Sequence, residues 1–533
     1  MKRFLVIILV LMAGLSSCYR DKGNYSYENI NRLEIDISEG GGNWTVAIGD
    51  TIQITPRFKF EADSVEDHLT YEWKFLGRVL STKRNLFYIA DAIGMGVLSL
   101  YVTDTRTGCV YLEDTHADIR PEFEVEGWVV LSDNGGSMLS YFRNTNKWDE
   151  KEEVWLYDCK DYVDVYQTIN HEALGGKPKK LLEHFVPTDW DTFKKRGNFW
   201  IIQEGGIGTV DVGVSTFEKE TTLPEQFING VYPDGFEPAL MAGGRWFTLV
   251  VGEDGKMYSR KKVDMYQYNS GLFIPTPMKL PDGRVVDGRG LINAPVAETY
   301  GLLVCDRTNK CFVAINDNNE KISGEIGLVR VDEKLYAAHS DFARLDDLSG
   351  YEIVYNGYVN SSSGFEYFTI LKDEATGEYY SHRFCAGDGW DGKLMMVSKI
   401  IGQKKMNIEK LVIDENTIFN ATRRTNYVWI SQGNELWYYN RVTGVMDKFY
   451  TSFSGAITAM DSESYVYRLG VGLANGEFHV LDVSPTIVGD EAYDPAKDKN
   501  KILYSSPKDK NLGRVIDIRY KTQGASTWQF EEW

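Results

Sequence analysis

The feature that most constrains the fold is a hairpin pattern that recurs seven times after residue 120. Each copy joins an apolar or aromatic strand to a second strand through a turn that contains Gly or Asn, as two-stranded ribbons require. The copies recur about every 56 residues, which indicates one supersecondary unit that stacks on its neighbours to bury its apolar faces. They read GWVVLSDNGGSMLSYF, FWIIQEGGIGTVDVG, WFTLVVGEDGKMYSR, GLLVCDRTNKCFVAI, YFTILKDEATGEYYSHRF, YVWISQGNELWYYNR and YRLGVGLANGEFHVLDV, beginning near residues 128, 199, 246, 301, 367, 427 and 467.

Short runs of large apolar residues mixed with alanine precede four of the hairpins, at 239–242, 291–294, 418–421 and 457–460. In a β-propeller the innermost strands converge on a central channel where small side chains fit best, so these runs are typical of inner strands. The segment GRVIDIRYK at 513–521 can pair with the first hairpin and close the ring, which removes an exposed edge. We therefore predict a seven-bladed β-propeller over residues 121–533; the alternative is a set of unrelated hairpins in a mixed β fold.

Residues 144–191 depart from the repeat and include a predicted short helix and a Gly-Gly turn. Long insertions between repeats decorate one face of such a fold and often bind ligands. Two tryptophans of this predicted insertion, Trp148 and Trp155, and one in a predicted loop, Trp390, are therefore candidate ligand-binding residues, since flat aromatic rings stack on glycans and peptides. The alternative for each is a space-filling role between blades.

The hydrophobic pattern of residues 30–120 differs from that of the seven hairpins. Tyr71, Trp73 and Phe75 share one face of the segment LTYEWKF, and the segment GVLSLYVTDTRTG alternates in the same way. Alternation with a period of two indicates half-buried strands. Short strands, frequent turns and a central tryptophan predict an immunoglobulin-like β-sandwich, so that the whole chain is predicted to be all-β.

The first residues have the layout of a secretory signal. A basic pair precedes an apolar stretch of about ten residues, whereas a helix needs roughly 20 to span a bilayer. The ending LSSC at 15–18 resembles the bacterial lipobox, so Cys18 is predicted to carry palmitate-type acyl chains, with a signal peptide at 1–17 and a tether at 18–29. Tyr19 replaces the aspartate that retains lipoproteins at the inner membrane, which by resemblance to other bacterial lipoproteins implies the outer membrane.

Composition and motifs exclude several classes of function. The chain has 58 basic against 77 acidic residues and a net charge of −19, so nucleic acid is not expected as a partner. Histidines are scattered singly and no C-x-x-C pair occurs, so no metal site and no cofactor are expected. The serines that start S-x-x-K spacings, Ser259 and Ser505, lie in strand or loop context, where the lysine is not brought onto the serine. We predict no catalytic residue.

One cysteine pair brackets a predicted hairpin turn. Cys305 and Cys311 flank five turn residues and are predicted to be neighbours across the hairpin, with a candidate disulfide between them. The states of Cys109, Cys159 and Cys385 stay open.

Two stretches carry a resemblance to known families. YEW, followed about 25 residues later by SLYVTD, resembles the polycystic-kidney-disease (PKD) repeat. The opening CYRDKGNY, from Cys18 to Tyr25, and EGWVVLSDNGG after the sandwich resemble the PKD-like lipoproteins of Gram-negative anaerobes that feed through SusC/SusD-type importers. The resemblance covers roughly the first 145 residues well and the remainder in outline.

This resemblance implies a surface-exposed, lipid-anchored accessory protein of a TonB-dependent transporter that handles glycans or peptides. It brings no catalytic residues to this chain. We expect a non-catalytic binding or docking subunit; the alternatives are a propeller-type polysaccharide or peptide hydrolase or lyase, which would need clustered carboxylates or a histidine on one propeller face, and a scaffold without a ligand.

Overall fold

The computed structural model describes residues 32–38, 43–61, 66–149, 151, 154–187, 195–263, 270–292, 301–361, 364–387, 393–422, 425–463, 467–488 and 501–521. The predicted signal peptide, the tether with Cys18, and Trp390 lie outside these residues. The chain divides into two compact units, Met1–Ile119 and Arg120–Trp533.

The first unit is a β-sandwich, as predicted. Its strands are β1 (Leu33–Asp36), β2 (Asn43–Ala47), β3 (Thr51–Ile54), β4 (Arg57–Phe60), β5 (Leu69–Phe75), β6 (Arg78–Ser81), β7 (Leu86–Ile89), β8 (Gly94–Asp104) and β9 (Val110–Arg120). A five-stranded sheet has the order β2-β9-β8-β5-β6, and two-stranded sheets pair β3 with β7 and β1 with β4. Trp73 is fully buried and its indole N–H points to the carbonyl oxygens of Lys83, at 3.1 Å, and Arg84, at 3.2 Å.

The second unit contains seven antiparallel sheets among its described residues, one for each predicted hairpin. Blades 1 to 3 contain β10 (Gly127–Asp133), β11 (Ser137–Asp149) and β12 (Val154–Tyr162); β13 (Lys177–Pro187), β14 (Lys195–Glu204), β15 (Val210–Gly213) and β16 (Lys219–Thr222); and β17 (Pro238–Gly243), β18 (Phe247–Gly252) and β19 (Met257–Lys261). Blades 4 and 5 contain β20 (Leu291–Ile292), β21 (Gly301–Asp306), β22 (Cys311–Asn316) and β23 (Ile326–Leu328); and β24 (Tyr351–Ser361), β25 (Gly364–Asp373), β26 (Tyr379–Gly387) and β27 (Met396–Lys405). Blades 6 and 7 contain β28 (Phe419–Ala421), β29 (Tyr427–Gln432), β30 (Glu435–Asn440) and β31 (Met446–Tyr450); and β32 (Ile457–Ser462), β33 (Arg468–Leu473), β34 (Phe478–Asp482) and β35 (Ile502–Ser505).

The last strand, β36 (Arg514–Lys521), completes blade 1 on its inner side. Its antiparallel register with β10 places Tyr520 opposite Trp128 and Ile518 opposite Val130. The rings of Trp128 and Tyr520 meet edge to face at 4.7 Å, an arrangement that adds roughly 0.5–1.5 kcal/mol beyond area burial. The C-terminal strand therefore closes the ring, as its sequence predicted.

An apolar core lies between each pair of successive blades. Because each sheet packs on both faces, its strands read as continuous apolar runs, and Trp128, Val129, Val130 and Leu131 are all fully buried. The cores join blades 1 and 2, 2 and 3, 3 and 4, 4 and 5, 5 and 6, 6 and 7, and 7 and 1. This cyclic order excludes a set of unrelated hairpins and confirms the seven-bladed propeller.

The alanine-containing runs lie where inner strands were expected. β17, β20, β28 and β32 are each the first strand of their sheet. First strands of neighbouring blades contact one another: β24 contacts β20 and β28, β36 contacts β32 and β13, and β13 contacts β17. These strands therefore surround the axis of the propeller.

The prediction of an insertion at 144–191 is wrong. β11 extends to Asp149, β12 is the outer strand of blade 1, and β13 is already the inner strand of blade 2. Between β12 and β13 lies α1 (Val165–Asn170), whose N-cap Asp164 accepts from the backbone N–H of Gln167 at 3.3 Å. Because this stretch is highly charged and its strands are long, its sequence did not resemble the other blades, although it contains the blade strands β12 and β13 and their connection.

The remaining described helices are short. They are α2 (Glu333–Ala338), α3 (Pro485–Val488) and 3-10 segments at Glu122–Glu124, Pro224–Gln226, Ile228–Gly230 and Gly288–Gly290. Among the described residues, no helix combines the length and apolarity needed to cross a bilayer.

Candidate functional site

The inner edge of each blade presents backbone N–H and C=O groups that have no strand partner on the axial side. Two carboxylates accept hydrogen bonds from backbone N–H groups on the inner strand of a neighbouring blade. Asp461 on β32 accepts from the backbone N–H of Tyr520 at 2.7 Å, and Asp517 on β36 accepts from that of Leu181 at 3.0 Å. Polar side chains on the inner strands therefore serve to bind the backbone of the neighbouring blade. They also bring ionisable groups close to the axis.

We define the axial cluster as the inner-strand residues Glu183, Asn420, Asp461, Asp517 and Arg519. Nη2 of Arg519 lies 3.3 Å from Oδ2 of Asp517, and the charges of Asp461 and Glu183 also act on this guanidinium. Nδ2 of Asn420 lies 3.5 Å from Oδ1 of Asp461. The axial cluster thus joins inner strands of blades 1, 2, 6 and 7 around one cation.

The cation of the axial cluster is enclosed by protein but still reached by solvent, since 22% of the Arg519 side chain is accessible. Burial opposes its charge, but the negative charges of Asp517, Asp461 and Glu183 outweigh burial and raise the pKa of Arg519. One guanidinium among three carboxyl groups leaves the site with net negative charge, which disfavours anionic ligands.

A second group of polar residues lies where β36 completes blade 1, and we call it the closure cluster: Glu126, Glu463, Arg468, Tyr520 and Lys521. The Tyr520 hydroxyl lies 2.8 Å from Oε2 of Glu126 and 3.1 Å from Oε1 of Glu463. A hydroxyl donates only one hydrogen bond, so one of these carboxyl groups must carry a proton of its own. Burial raises the pKa of Glu463 to about 7, against the charge of Arg468, which lies 3.2 Å away. Below about pH 7, protonated Glu463 can therefore donate to Tyr520 while Tyr520 donates to Glu126.

Lys521 is the other buried ionisable group of the closure cluster. Its side chain is fully buried and Nζ donates to the carbonyl oxygen of Val125 at 2.8 Å. Burial lowers the pKa of Lys521 to about 7, although the charges of Glu126 and Glu183 oppose this shift. Glu463, Tyr520 and Lys521 of the closure cluster are buried and hold strands together, so the axial cluster is the better candidate for binding a ligand.

The axial cluster offers donors and acceptors side by side. Arg519 and Asn420 supply N–H donors, and Asp461 and Glu183 supply carboxylate acceptors. This combination suits sugar hydroxyl groups or peptide amides, which both donate and accept. Within the described part of the chain, no three His, Cys, Asp or Glu side chains are grouped so as to hold a metal ion.

The tryptophans singled out in the sequence do not join the axial cluster. Trp148 lies on β11 directly opposite Trp155 on β12. In the sheet order β12-β11-β10-β36, both strands are separated from the axis by β10 and β36. The Trp148 side chain is half-buried.

The predicted pairing of Cys305 and Cys311 is wrong, and both thiols are free. The register of β21 and β22 places Cys311 opposite Asp306 and Cys305 opposite Phe312. Because adjacent positions on a strand face opposite sides, Cys305 packs in the core between blades 4 and 5, and Cys311 in the core between blades 3 and 4. A one-residue shift in register therefore places the two sulfur atoms on opposite faces of the sheet.

Sequence reasoning identified the closing strand but missed its charged residues. The segment VIDIRYK alternates apolar with Asp517, Arg519 and Lys521, and such alternation in a strand expected at the axis was the available signal. Two of the charges that act on Arg519, those of Asp461 and Glu183, come from other strands far earlier in the chain, which no local pattern could supply.

Comparison with known proteins finds one family whose model matches part of the chain. The PKD-like family matches residues 18–178, a stretch that starts at the predicted lipid-bearing cysteine and runs through the sandwich and strands β10, β11 and β12 of blade 1. None of the curated proteins matches the sequence.

Two solved structures from Bacteroides are similar in fold. A quinonprotein alcohol dehydrogenase-like protein from Bacteroides thetaiotaomicron VPI-5482 has 12% identity, with 92% of this chain and 99% of that chain covered and a TM-score of 0.43. A candidate 6-phosphogluconolactonase from Bacteroides fragilis NCTC 9343 has 12% identity, with 74% and 97% covered and a TM-score of 0.35. Neither similarity bears on the chemistry of the axial cluster.

Proposed function

We propose that this protein is a surface-exposed outer-membrane lipoprotein that serves as a binding or docking accessory subunit of a SusC/SusD-type TonB-dependent importer of glycans or peptides. The observation that carries the proposal is that the PKD-like match begins at Cys18, the residue that the lipobox-like sequence marks for lipidation. A match that begins at that cysteine supports a mature protein in which the cysteine is the N-terminus.

The anchor is tested on the intact lipoprotein. Three acyl chains on Cys18 would hold the protein to a membrane, since each buried CH₂ adds about 0.8 kcal/mol. Mass spectrometry of the mature N-terminus should find a triacylated Cys18, and Cys18→Ala should abolish both the modification and membrane fractionation. An unmodified peptide that spans Cys18 in the wild-type protein would refute the anchor.

The axial cluster supplies the binding chemistry in this proposal. Its net negative charge and its mixed donors and acceptors favour neutral or cationic cargo, such as glycans or peptides, over phosphorylated or sulfated polymers. Titration calorimetry with neutral oligosaccharides, unmodified peptides and sulfated oligosaccharides tests this preference directly. The expected order of affinity places the sulfated compounds last.

A matched pair of variants on β36 tests the site itself. Arg519→Gln removes the central donor and should weaken binding by about 10-fold or more, because hydrogen bonds to charged groups contribute roughly 1.5–3 kcal/mol. Arg514→Gln removes an exposed arginine from the same strand and should leave the affinity unchanged. Equal effects of the two substitutions would place the binding site elsewhere.

A further inference from the structure

The outer half of blade 7 carries a hydrogen-bonded serine, histidine and carboxylate. Ser505 lies at the end of β35, and its cross-strand partner on β34 is His479. Glu477 immediately precedes β34. We call these three residues the Ser505 cluster. β35 is the strand of blade 7 farthest from the axis, so this group is separate from the axial cluster.

Each ring nitrogen of His479 has one partner. Nδ1 lies 2.8 Å from Oγ of Ser505, and Nε2 lies 3.2 Å from Oε2 of Glu477. An ionised carboxylate only accepts hydrogen bonds, so Nε2 carries the proton that it donates to Glu477. Nδ1 is then the unprotonated nitrogen, and it accepts from the Ser505 hydroxyl. The three residues thus form a nucleophile, a base and a group that orients the base.

The surrounding residues fix the carboxylate and the ring. Ser454 donates to Oε2 of Glu477 at 2.6 Å and accepts from Nδ2 of Asn475 at 2.9 Å. The hydrogen bond from Ser454 is the largest influence that lowers the pKa of Glu477, so this carboxyl is ionised at neutral pH. Phe453 packs on the His479 ring with the centroids 5.6 Å apart.

Solvent exposure differs between Ser505 and His479, as expected for a nucleophile that must meet its substrate and a base that is held within the fold. Ser505 is exposed, whereas only 7% of His479 is accessible. Burial lowers the pKa of His479 more than the charge of Glu477 raises it, so the imidazole is neutral, and able to accept a proton, at neutral pH.

We propose that Ser505 is an activated nucleophile that takes the acyl group from a carboxylic ester, an activity separate from the binding role proposed above. Oγ of Ser505 forms a bond to the acyl carbon while its proton passes to Nδ1 of His479. The ester C–O bond then breaks, and the imidazolium returns that proton to the departing alcohol. A water molecule next gives a proton to Nδ1 and attacks the acyl carbon; Oγ takes the proton back as the acid is released. No oxidation or reduction occurs in either half of the reaction.

In the sequence, Ser505 stands out only as the start of an S-x-x-K spacing with Lys508. The structure supplies a different base, 26 residues earlier in the chain, through strand pairing. Lys508 contributes a positive charge that lowers the pKa of both Glu477 and His479, which keeps the carboxylate ionised and the imidazole neutral.

The direct test is covalent labelling of the full-length protein with a fluorophosphonate probe, followed by intact-mass measurement and peptide mapping. We expect a single adduct, on Ser505. Ser505→Ala should abolish it, and because the side chain is exposed this substitution should leave the protein folded, which circular dichroism checks. Ser452→Ala is the matched control, since Ser452 is an exposed serine in the loop before β32, and it should label like the wild type.

A second variant tests whether Glu477 is a positioning residue. Glu477→Gln should slow labelling, and the hydrolysis of p-nitrophenyl acetate, by about 10-fold or more. Because it removes a charge that raises the pKa of His479, it should also move the acidic limb of the rate–pH profile to lower pH. Absence of an adduct on Ser505, equal labelling of Ser505→Ala, or a Glu477→Gln variant with the rate and pH profile of the wild type would each overturn the proposal.

Discussion

At the scale of single residues, two buried groups of the closure cluster titrate in opposite senses. Burial raises the pKa of Glu463 from 4.5 to about 7, so the stability that this group contributes is complete below about pH 4.5 and is lost as the pH rises through 7. Burial lowers the pKa of Lys521 from 10.5 to about 7, so its contribution is complete above about pH 10.5 and is lost as the pH falls toward 7.

The first prediction isolates Glu463. Glu463→Gln keeps a donor and an acceptor for Tyr520 and Arg468 but cannot ionise. Between pH 5 and pH 8, the unfolding free energy of the wild type should fall by about 2–3 kcal/mol more than that of the variant, since each unit of pKa shift corresponds to about 1.4 kcal/mol. Urea unfolding at several pH values measures this difference.

Glu320→Gln is the control for that measurement, because it removes one acidic charge from an exposed position of the same unit. Its unfolding free energy should follow the wild-type pH dependence. Parallel curves for the wild type and Glu463→Gln would mean that Glu463 is ionised in the folded protein, contrary to the hydrogen bonding of Tyr520.

The second prediction concerns the buried thiols. Burial raises the pKa of Cys305, and raises that of Cys311 to about 11, so neither forms the reactive thiolate at neutral pH. Under native conditions iodoacetamide should modify the half-exposed Cys109 first, and both buried cysteines only after unfolding. Non-reducing peptide mapping that found Cys305 joined to Cys311 would contradict the register of the hairpin.

At the scale of elements, β36 determines whether the ring closes. The side chain of Ile518 is fully buried in the core between blades 7 and 1, whereas Ile516 on the same strand is only half-buried. The two isoleucines therefore form a matched pair in which residue type and strand are the same and burial differs.

The third prediction follows from this pair. Ile518→Ala should lower the unfolding free energy by about 2–5 kcal/mol, because it removes transfer energy and leaves a cavity. Ile516→Ala should cost roughly 1 kcal/mol, in proportion to its smaller burial. Chemical denaturation measures both, and equal costs would indicate that β36 does not seal the core between blades 7 and 1.

The elements that sequence could predict are those whose physical cause is local. The seven hairpins and the closing strand can be recognised in the sequence from their apolar runs, turn residues and alanines, because each blade buries both of its faces. The strands of blades 1 and 2 within 144–191 were misread, since long charged strands resemble an insertion when only composition is considered. Neither Arg519 among its carboxylates nor His479 beside Ser505 could be predicted, because strand pairing and blade packing bring together residues that are far apart in the chain.

At the scale of the whole molecule, the chain combines a PKD-like match that starts at Cys18, a β-sandwich and a seven-bladed propeller with polar residues at its axis. Anchored by lipid at one end, such a molecule would carry its propeller as a binding module outside the membrane. A transporter partner is the central claim of the proposed function.

Affinity purification of the tagged, full-length lipoprotein from native membranes in mild detergent tests that claim most directly. We expect a SusC-type TonB-dependent transporter and its SusD-type partner to co-purify with the wild type and to be lost with Cys18→Ala, which would not be anchored to the membrane. Recovery of the wild-type lipoprotein from the same membranes without any TonB-dependent transporter would contradict a role as an importer subunit.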